Sequence, residues 1–477
     1  MSQSSDGYLR AAGPRFLDPH GAAVQLRGVG IGGWLNMENF VTGYAGTESL
    51  MRAAVRRVLG QERYESFFDR LLTGFFDDAD ARFLAAAGLN AVRIPIHYHH
   101  FEDDARPFEI KEEGFRHLDR VIDLCGRQGI YSVIDLHALP GWQNQRWHSD
   151  NPTHLATFWQ HRHFQDRVVR LWEAIADRYK DDRWVAGYNP VNEPADESRQ
   201  VVGPFYRRLV EAIRAVDPHH TLFLDGNTYS TEFDVFDVFD EPPANTVYVC
   251  HDYAMAGLAY GGPYPGRTRG VWQDRDVLEK KFLQRTEFAR ELDSPIWVGE
   301  FGPIYSGDPA VDEQRGRILA DQLDIYRRYE ASWSLWTYKD IGLQGVVYAS
   351  PDSPYMQRFA DFVAKKKRLG ADAWGSDGTG PAEVTQAVQD LIAREFPGFD
   401  PYPWGRWDFV RTLLLTITVA QPLVEEYAAL FEGLGDDELV ALADSFALAN
   451  CVVREPLRTQ IAQGPAAPNR LREADRP

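Results

Sequence analysis

Cysteine is scarce: Cys125, Cys250 and Cys451 are the only three in 477 residues. They lie far apart, without a CxxC or Cys/His ligand spacing, which excludes a disulfide framework and a structural zinc site of the usual pattern. They read as reduced, mostly buried thiols. Basic runs are as rare. Only Lys365-Lys366-Lys367-Arg368 stands out against a formal net charge of −19, so no nucleic-acid partner is expected. Long apolar runs are missing too. The best, Leu413 to Val424, is broken by Thr416, Thr418, Gln421 and Pro422 and falls short of the roughly 20 residues a membrane span needs, so it reads as a core helix. The opening Met1-Ser2-Gln3-Ser4-Ser5-Asp6 has neither the basic region nor the apolar stretch of a secretion signal, and a cytoplasmic location is the expectation. Gly28-Val29-Gly30 lacks the rest of a dinucleotide fingerprint, and no cofactor is expected. His97, His99 and His100 have no carboxylate at ligand spacing, so they are expected to border a pocket and not to hold a metal.

What is present is a rhythm. Between residues 26 and 337, short β-branched runs ending in polar residues alternate with amphipathic helical stretches, the signature of parallel βα units. The runs are Leu26–Gly30, Ala91–Ile96, Tyr131–Leu136, Val185–Pro190, Thr221–Leu224, Val247–Cys250, Pro295–Val298 and Ser332–Thr337. Eight of them predict an α/β fold of the closed (β/α)8 TIM-barrel type with a helical C-terminal appendage. Residues 1–25 are expected to contribute a hairpin, turning at Asp18-Pro19-His20-Gly21, that closes the barrel floor. The barrel is assigned to 26–370, a helical extension to 381–463 and a disordered tail to 464–477. Asp436 and Asp437 are expected to cap a helix over Glu438–Val453, and Trp404, Trp407 and Phe409 to be buried. Long loops after the first, third and sixth strands, rich in Trp, Tyr, Gly and Asn, should rim and deepen the site, because the catalytic loops of such a barrel leave the C-terminal ends of its strands.

Two of those strand ends carry glutamates. Glu193 follows Asn192 after the fourth run and Glu300 ends the seventh. A pair of carboxylates in these positions is what glycosidic cleavage needs, one protonating the leaving oxygen and the other attacking the anomeric carbon. Other strand ends supply supporting groups. Arg93 can keep a carboxylate ionised, Tyr253 can hydrogen-bond the nucleophile, His251 can tune the acid, His137 follows the third run, and Trp336 offers a face to a sugar ring. The proximity of two carboxylates should also raise the acid's affinity for its proton.

The motifs Arg93-Ile94-Pro95, Asp135-Leu136-His137, Asn192-Glu193-Pro194 and Val298-Gly299-Glu300-Phe301-Gly302 resemble glycoside hydrolase family 5 of clan A over roughly residues 15 to 370. The stretch Leu26 to Leu35, which contains Trp34, and Pro140-Gly141-Trp142-Gln143-Asn144 are similar to its exo-1,3-glucanase and glycoceramidase-like branches. The resemblance implies a shared site of Arg93, His137, Asn192, Glu193, His251, Tyr253, Glu300 and Trp336, with Asn192 on the sugar's 2-hydroxyl. It adds Trp34 and Trp142 as substrate-binding candidates. The expected activity is a retaining, exo-leaning glycosidase acting on a short oligosaccharide or small glycoside, with Glu193 as acid/base and Glu300 as nucleophile. A furanosidase (α-L-arabinofuranosidase or β-galactofuranosidase), a transglycosylase and a non-catalytic carbohydrate-binding barrel stay open. Oligomeric state is not legible.

Overall fold

Parallel strands wrapped by helices are buried on both faces, so they are written as nearly continuous apolar runs. The computed structural model describes residues 7–254, 263–268, 270–372, 374 and 381–462. Its barrel strands are Arg27–Gly30, Ala91–His97, Tyr131–Ala138, Val185–Asn189, Thr221–Asp225, Thr246–His251, Trp297–Phe301 and Ser332–Leu335. Each pairs in parallel with the next and the eighth returns to the first, so the (β/α)8 barrel closes. All eight expected runs are strands with ends shifted by a few residues. The largest shift, in the seventh, places Glu300 inside its strand. No described helix is long and apolar enough to cross a membrane.

At the floor, Arg15–Leu17 pairs antiparallel with Ala23–Val24, and Asp18 Oδ1 accepts the N–H groups of His20 and Ala22 at 2.9 Å each. A further strand, Arg10–Ala12, extends the hairpin. Phe16 is driven into the barrel floor, joining Leu9, Leu26 and Trp297 and lying 5.9 Å from the Phe223 ring. This plugs one end of the barrel and leaves the other for chemistry.

The loop after the first strand is mostly helical, with helices Glu48–Leu59 and Gln61–Phe75. These are the surface on which the C-terminal extension lies, through Arg57–Glu425, Arg63–Asp436 and Arg70–Asp444 ion pairs and a Phe67–Phe431 edge contact. The extension departs from expectation in three places. The helix beginning at Asp436 stops at Asp444, and Cys451–Val453 is a strand, antiparallel to Val347–Ala349. That sheet also holds Lys339–Asp340, just beyond the eighth barrel strand, so the extension is knitted to the barrel. The run expected as a core helix is a π-helix over Thr412–Val419 in which Leu415 is buried while Leu413, Leu414 and Ile417 are half-exposed. Third, Trp404 and Trp407 are 47% and 50% exposed and Phe409 is only partly buried. The basic run is structural: Lys366 is buried, donating to the Asn39 carbonyl and pairing with Asp372 at 2.9 Å. The tail 464–477 lies outside the described residues.

Lys339 pins the join. Its ammonium is fully buried and donates to the Phe75 and Phe446 carbonyls at 2.6 and 2.8 Å and to Asp80 at 2.7 Å. Lys339→Ala leaves Asp80 buried without its cation and should cost about 3–5 kcal/mol in urea unfolding; an unchanged midpoint would remove this contact from the account of stability.

Candidate active site

The C-terminal ends of the barrel strands converge on one buried guanidinium. Arg93, on the second strand, donates from Nη1 to Glu300 Oε1 at 2.6 Å, and from Nη2 to Asn192 Oδ1 at 2.6 Å and Asn189 Oδ1 at 3.0 Å. Asp135 Oδ2 lies 3.1 Å from the same Nη2. Glu300's other oxygen accepts the Tyr253 hydroxyl at 2.8 Å. Both oxygens are thus fixed, and a guanidinium charge sits against one of them. Asn192, oriented by Arg93, turns its amide N–H to His137 Nε2 at 3.3 Å, and His137 Nδ1 donates to Asp135 at 2.7 Å. Burial holds His137 well below the ordinary histidine range, which suits a neutral ring whose Nε2 accepts. Burial also raises Asp135 to about 7, with Arg93 pulling the other way.

Glu193 stands across from Glu300 in a left-handed backbone, φ 45°, a conformation that strains a side-chain-bearing residue. Its peptide is clamped from both sides: its N–H donates to Asp225 Oδ2 at 2.9 Å, and its carbonyl accepts the Asn144 amide at 3.0 Å. His251 Nδ1 lies 2.6 Å from Glu193 Oε1 and 3.7 Å from Glu300 Oε2. Oxygens of the two glutamates and a nitrogen of His251 all lie within 4.8 Å of one another. Although burial opposes a charge on His251, Glu300 and Glu193 raise its pKa to about 9. Burial also opposes ionisation of Glu193, but the His251 cation outweighs it and holds this carboxyl well below its ordinary range. The expectation that Glu300 would raise it gives way to the nearer histidine.

Sequence reasoning missed what meets the other Glu193 oxygen. His148 Nε2, from the third-strand loop, is 3.1 Å from Oε2. The Asn144 Nδ2 that binds the Glu193 carbonyl also contacts His148 Nε2, at 2.8 Å, while Asn144 Oδ1 accepts the Arg146 N–H at 3.0 Å. Both backbone bonds fix the amide orientation, so Nδ2 is the donor and His148 Nε2 must present a lone pair. The ring proton of a neutral His148 is then on Nδ1, and its single Nε2 lone pair is engaged by Asn144, so Nε2 offers Oε2 no proton. One imidazole therefore favours the ionised carboxyl, and the other does not donate to it.

Glu38 was also missed. It is buried, accepts the Trp147 indole N–H at 3.1 Å, and sits 3.9 Å from His137 Nε2. Burial, reinforced by Glu300, raises it well above the carboxylate range. Trp147 and Phe40 meet edge to face, Phe40 stacks on Trp374, and Trp374 meets Tyr253 at 5.0 Å, forming an aromatic wall on the Glu300 side. Trp336 stacks parallel to His137 at 5.4 Å. It sits there because Gly30 and Gly32 lack side chains: a Cβ on either would lie within 2.8 Å of the indole. Two expected residues fall elsewhere. Trp34 is fully buried, donates to the Leu72 carbonyl at 2.8 Å and packs edge-on to His117 among the outer helices, because the chain turns outward after Gly33. Trp142 is half-buried at φ 60° and, among the described residues, joins none of the contacts around the two glutamates.

Neither acid–histidine cluster is built for an ion. At the glutamates, Arg93 and His251 already bring positive charge into the space a cation would take. In the His97, His99 and Asp150 group, His97 Nδ1 accepts the His99 N–H at 3.1 Å, so its protonated Nε2 faces Asp150 at 3.2 Å and has no lone pair to offer. What remains is a carboxylate presented by a cation and a phenol, opposite a carboxyl that can hold or release a proton.

A profile of the family described as Cellulase (glycosyl hydrolase family 5) matches residues 70–342. The chain is 47% identical over 462 residues to a protein of Phanerodontia chrysosporium named beta-xylosidase, covering 94% of this chain and 96% of that one. It is 27% identical over 356 residues to a probable glucan 1,3-beta-glucosidase A of Neosartorya fischeri, covering 67% and 84%, and 23% identical over 338 residues to Endoglucanase C of Acetivibrio thermocellus, covering 64% and 95%. A crystal structure of a glycoside hydrolase shares the fold, with TM-score 0.51 and 21% identity over 67% of this chain and 90% of that one.

Two measurements check the electrostatics. Nitrogen-15 NMR should find His148 protonated at Nδ1, and Asn144→Asp, which removes the donor, should move the proton to Nε2; a wild-type ring protonated at Nε2 would break the argument. His251, whose pKa rises from 6.5 to about 9 on folding, contributes stability that is fully present below pH 6.5 and is lost as pH rises through about 9. Chemical denaturation should show that decline, and His251→Asn should flatten it.

Proposed function

The chain belongs to glycoside hydrolase family 5 and is a glycosidase, and from that premise we propose that it is a retaining, exo-acting β-xylosidase that shortens small oligosaccharides by double displacement. The observation that carries the mechanism is the pair of glutamates. Carboxyl groups about 5–5.5 Å apart suit direct attack, whereas about 6.5–9.5 Å would leave room for an inverting water, and oxygens of Glu193 and Glu300 lie within 4.8 Å. The asymmetry of their partners divides the roles. Glu300, fixed at both oxygens by Arg93 and Tyr253, is the nucleophile. Glu193, between two imidazoles, is the acid/base.

In the first step Glu300 attacks the anomeric carbon and the glycosidic bond breaks. The electron pair leaves with the aglycone oxygen, which takes the proton from Glu193. In the second, Glu193 takes a proton from water, the water oxygen attacks the anomeric carbon, and the bond to Glu300 breaks, releasing the sugar with its configuration kept. The preference for xylose is supported by the end-to-end similarity to a protein named beta-xylosidase. Exo action is supported by the aromatic wall of Trp147, Phe40 and Trp374 with Glu38 at its foot, which on this reading ends the pocket on the Glu300 side.

The test is a panel of 4-nitrophenyl β- and α-glycosides, including the α-L-arabinofuranoside and β-galactofuranoside. The β-xyloside should be the preferred substrate, with β-xylose as the first anomer seen by proton NMR. Glu300→Gly should be inactive, and azide should rescue it to a glycosyl azide of inverted configuration. Glu193→Ala should slow cleavage of unactivated xylo-oligosaccharides by about 100- to 10,000-fold and activated aryl xylosides less. First appearance of the α-anomer would refute retention, a preferred furanoside would replace the sugar assignment, and internal fragments at the earliest time from an end-labelled oligosaccharide would refute exo action.

A further inference from the structure

We propose that the C-terminal extension completes the leaving-group subsite, with Trp404 as the platform on which the sugar on the reducing side of the cleaved bond stacks. This rests on the reading of Glu193 as the acid. The aglycone oxygen must then lie beside Glu193, on the side away from the aromatic wall. Contacts run outward from that carboxyl without a break. His148 is 3.1 Å from Oε2, the Tyr229 ring meets His148 edge-on at 6.2 Å, and the Trp404 ring lies 5.4 Å from Tyr229.

The local structure is built to hold these rings. Thr228, Tyr229 and Ser230 take left-handed φ values of 51°, 60° and 59° in succession, a strained arrangement for residues with side chains. The extension steadies it, since the Tyr402 hydroxyl bonds Thr228 Oγ1 at 2.8 Å. Two residues past Tyr402, Trp404 immediately precedes the helix Gly405–Arg411. That helix is tied to the loop carrying His148, because Arg146 donates to both Asp408 oxygens at 2.7 and 2.8 Å and to Thr412 at 2.9 Å. The tether therefore sets Trp404 relative to the acid.

An extension that only covered the barrel flank would turn its tryptophans inward, as its Leu423, Tyr427 and Phe431 are turned. Trp404 instead leaves 47% of its surface open at the end of a row of aromatic contacts from the acid. An indole with this much open surface is suited to the apolar face of a pyranose.

The experiment compares wild type, Trp404→Ala and Trp404→Phe on β-xylosyl fluoride, whose small leaving group leaves that subsite empty, and on xylotriose. Trp404→Ala should raise KM for xylotriose about tenfold, the size of one lost aromatic anchor, with kcat and the xylosyl fluoride KM little changed, and Trp404→Phe should recover most of the loss. An unchanged xylotriose KM overturns the proposal. So does an equal loss on both substrates, which would mean a structural role, or a change of oligomeric state with unchanged kinetics, which would mean an interface. Cleavage of neither xylose substrate by wild type is a failure of the sugar assignment instead, and the comparison is then run on the glycosyl fluoride and oligosaccharide of whichever sugar the panel identifies.

Discussion

Everything at the open end of this barrel answers to the burial of Arg93. A guanidinium with no solvent exposure carries a desolvation cost of several kcal/mol, which is offset only when its donors are met with good geometry. Glu300, Asp135, Asn189 and Asn192 meet them, drawn from the third, fourth and seventh strands or the turns they enter. The obligation propagates as a ring: Arg93 fixes the Asn192 amide, Asn192 sets the accepting nitrogen of His137, and His137 donates to Asp135, which returns to Arg93. A second branch passes through Asn189 to Asp225, whose other oxygen holds the Glu193 peptide. One buried cation thereby aligns Glu300, the proposed nucleophile, and helps clamp the backbone of Glu193, the proposed acid/base.

The barrel and this ring were legible in the sequence because both are written at strand ends. Side chains there face the same mouth whatever the loops do, so residue type and strand count locate them. Loop residues are placed by tertiary contacts instead. Glu38, His148 and Asn144 carry no local pattern that separates them from ordinary loop polars, although His148 and Trp147 stand out as bulk in the third-strand loop. Trp34 failed for the opposite reason: its motif is conspicuous, but the turn after Gly33 sends the indole outward to Leu72. In the extension, helical composition concealed a strand because Cys451–Val453 is defined by its partner Val347–Ala349 and not by its own pattern.

The remaining question is how five buried acids share one small volume. Among the described residues, Glu38, Asp135, Glu193, Asp225 and Glu300 face Arg93 and the His251 imidazolium as close positive charges, so full ionisation would leave a large uncompensated charge in a poorly solvated space. The site resolves this by unequal proton affinity. Burial raises Glu38, Asp135 and Asp225, while His251 lowers Glu193. The neutral form of Glu38 also fits its neighbour, because the nearest nitrogen of His137 is an acceptor. The higher proton affinities thus fall on acids that frame the pocket. The least paired of the remaining carboxyl oxygens, Glu193 Oε2 opposite His148 Nε2, is where the proposed acid would hold and surrender its proton. A site that had to protonate Glu193 against two donating imidazoles would resist the first half of its cycle. Asn144 prevents that by making one of the two an acceptor, and through Arg146 and Asp408 the loop that bears Asn144 is braced by the same extension that carries Trp404.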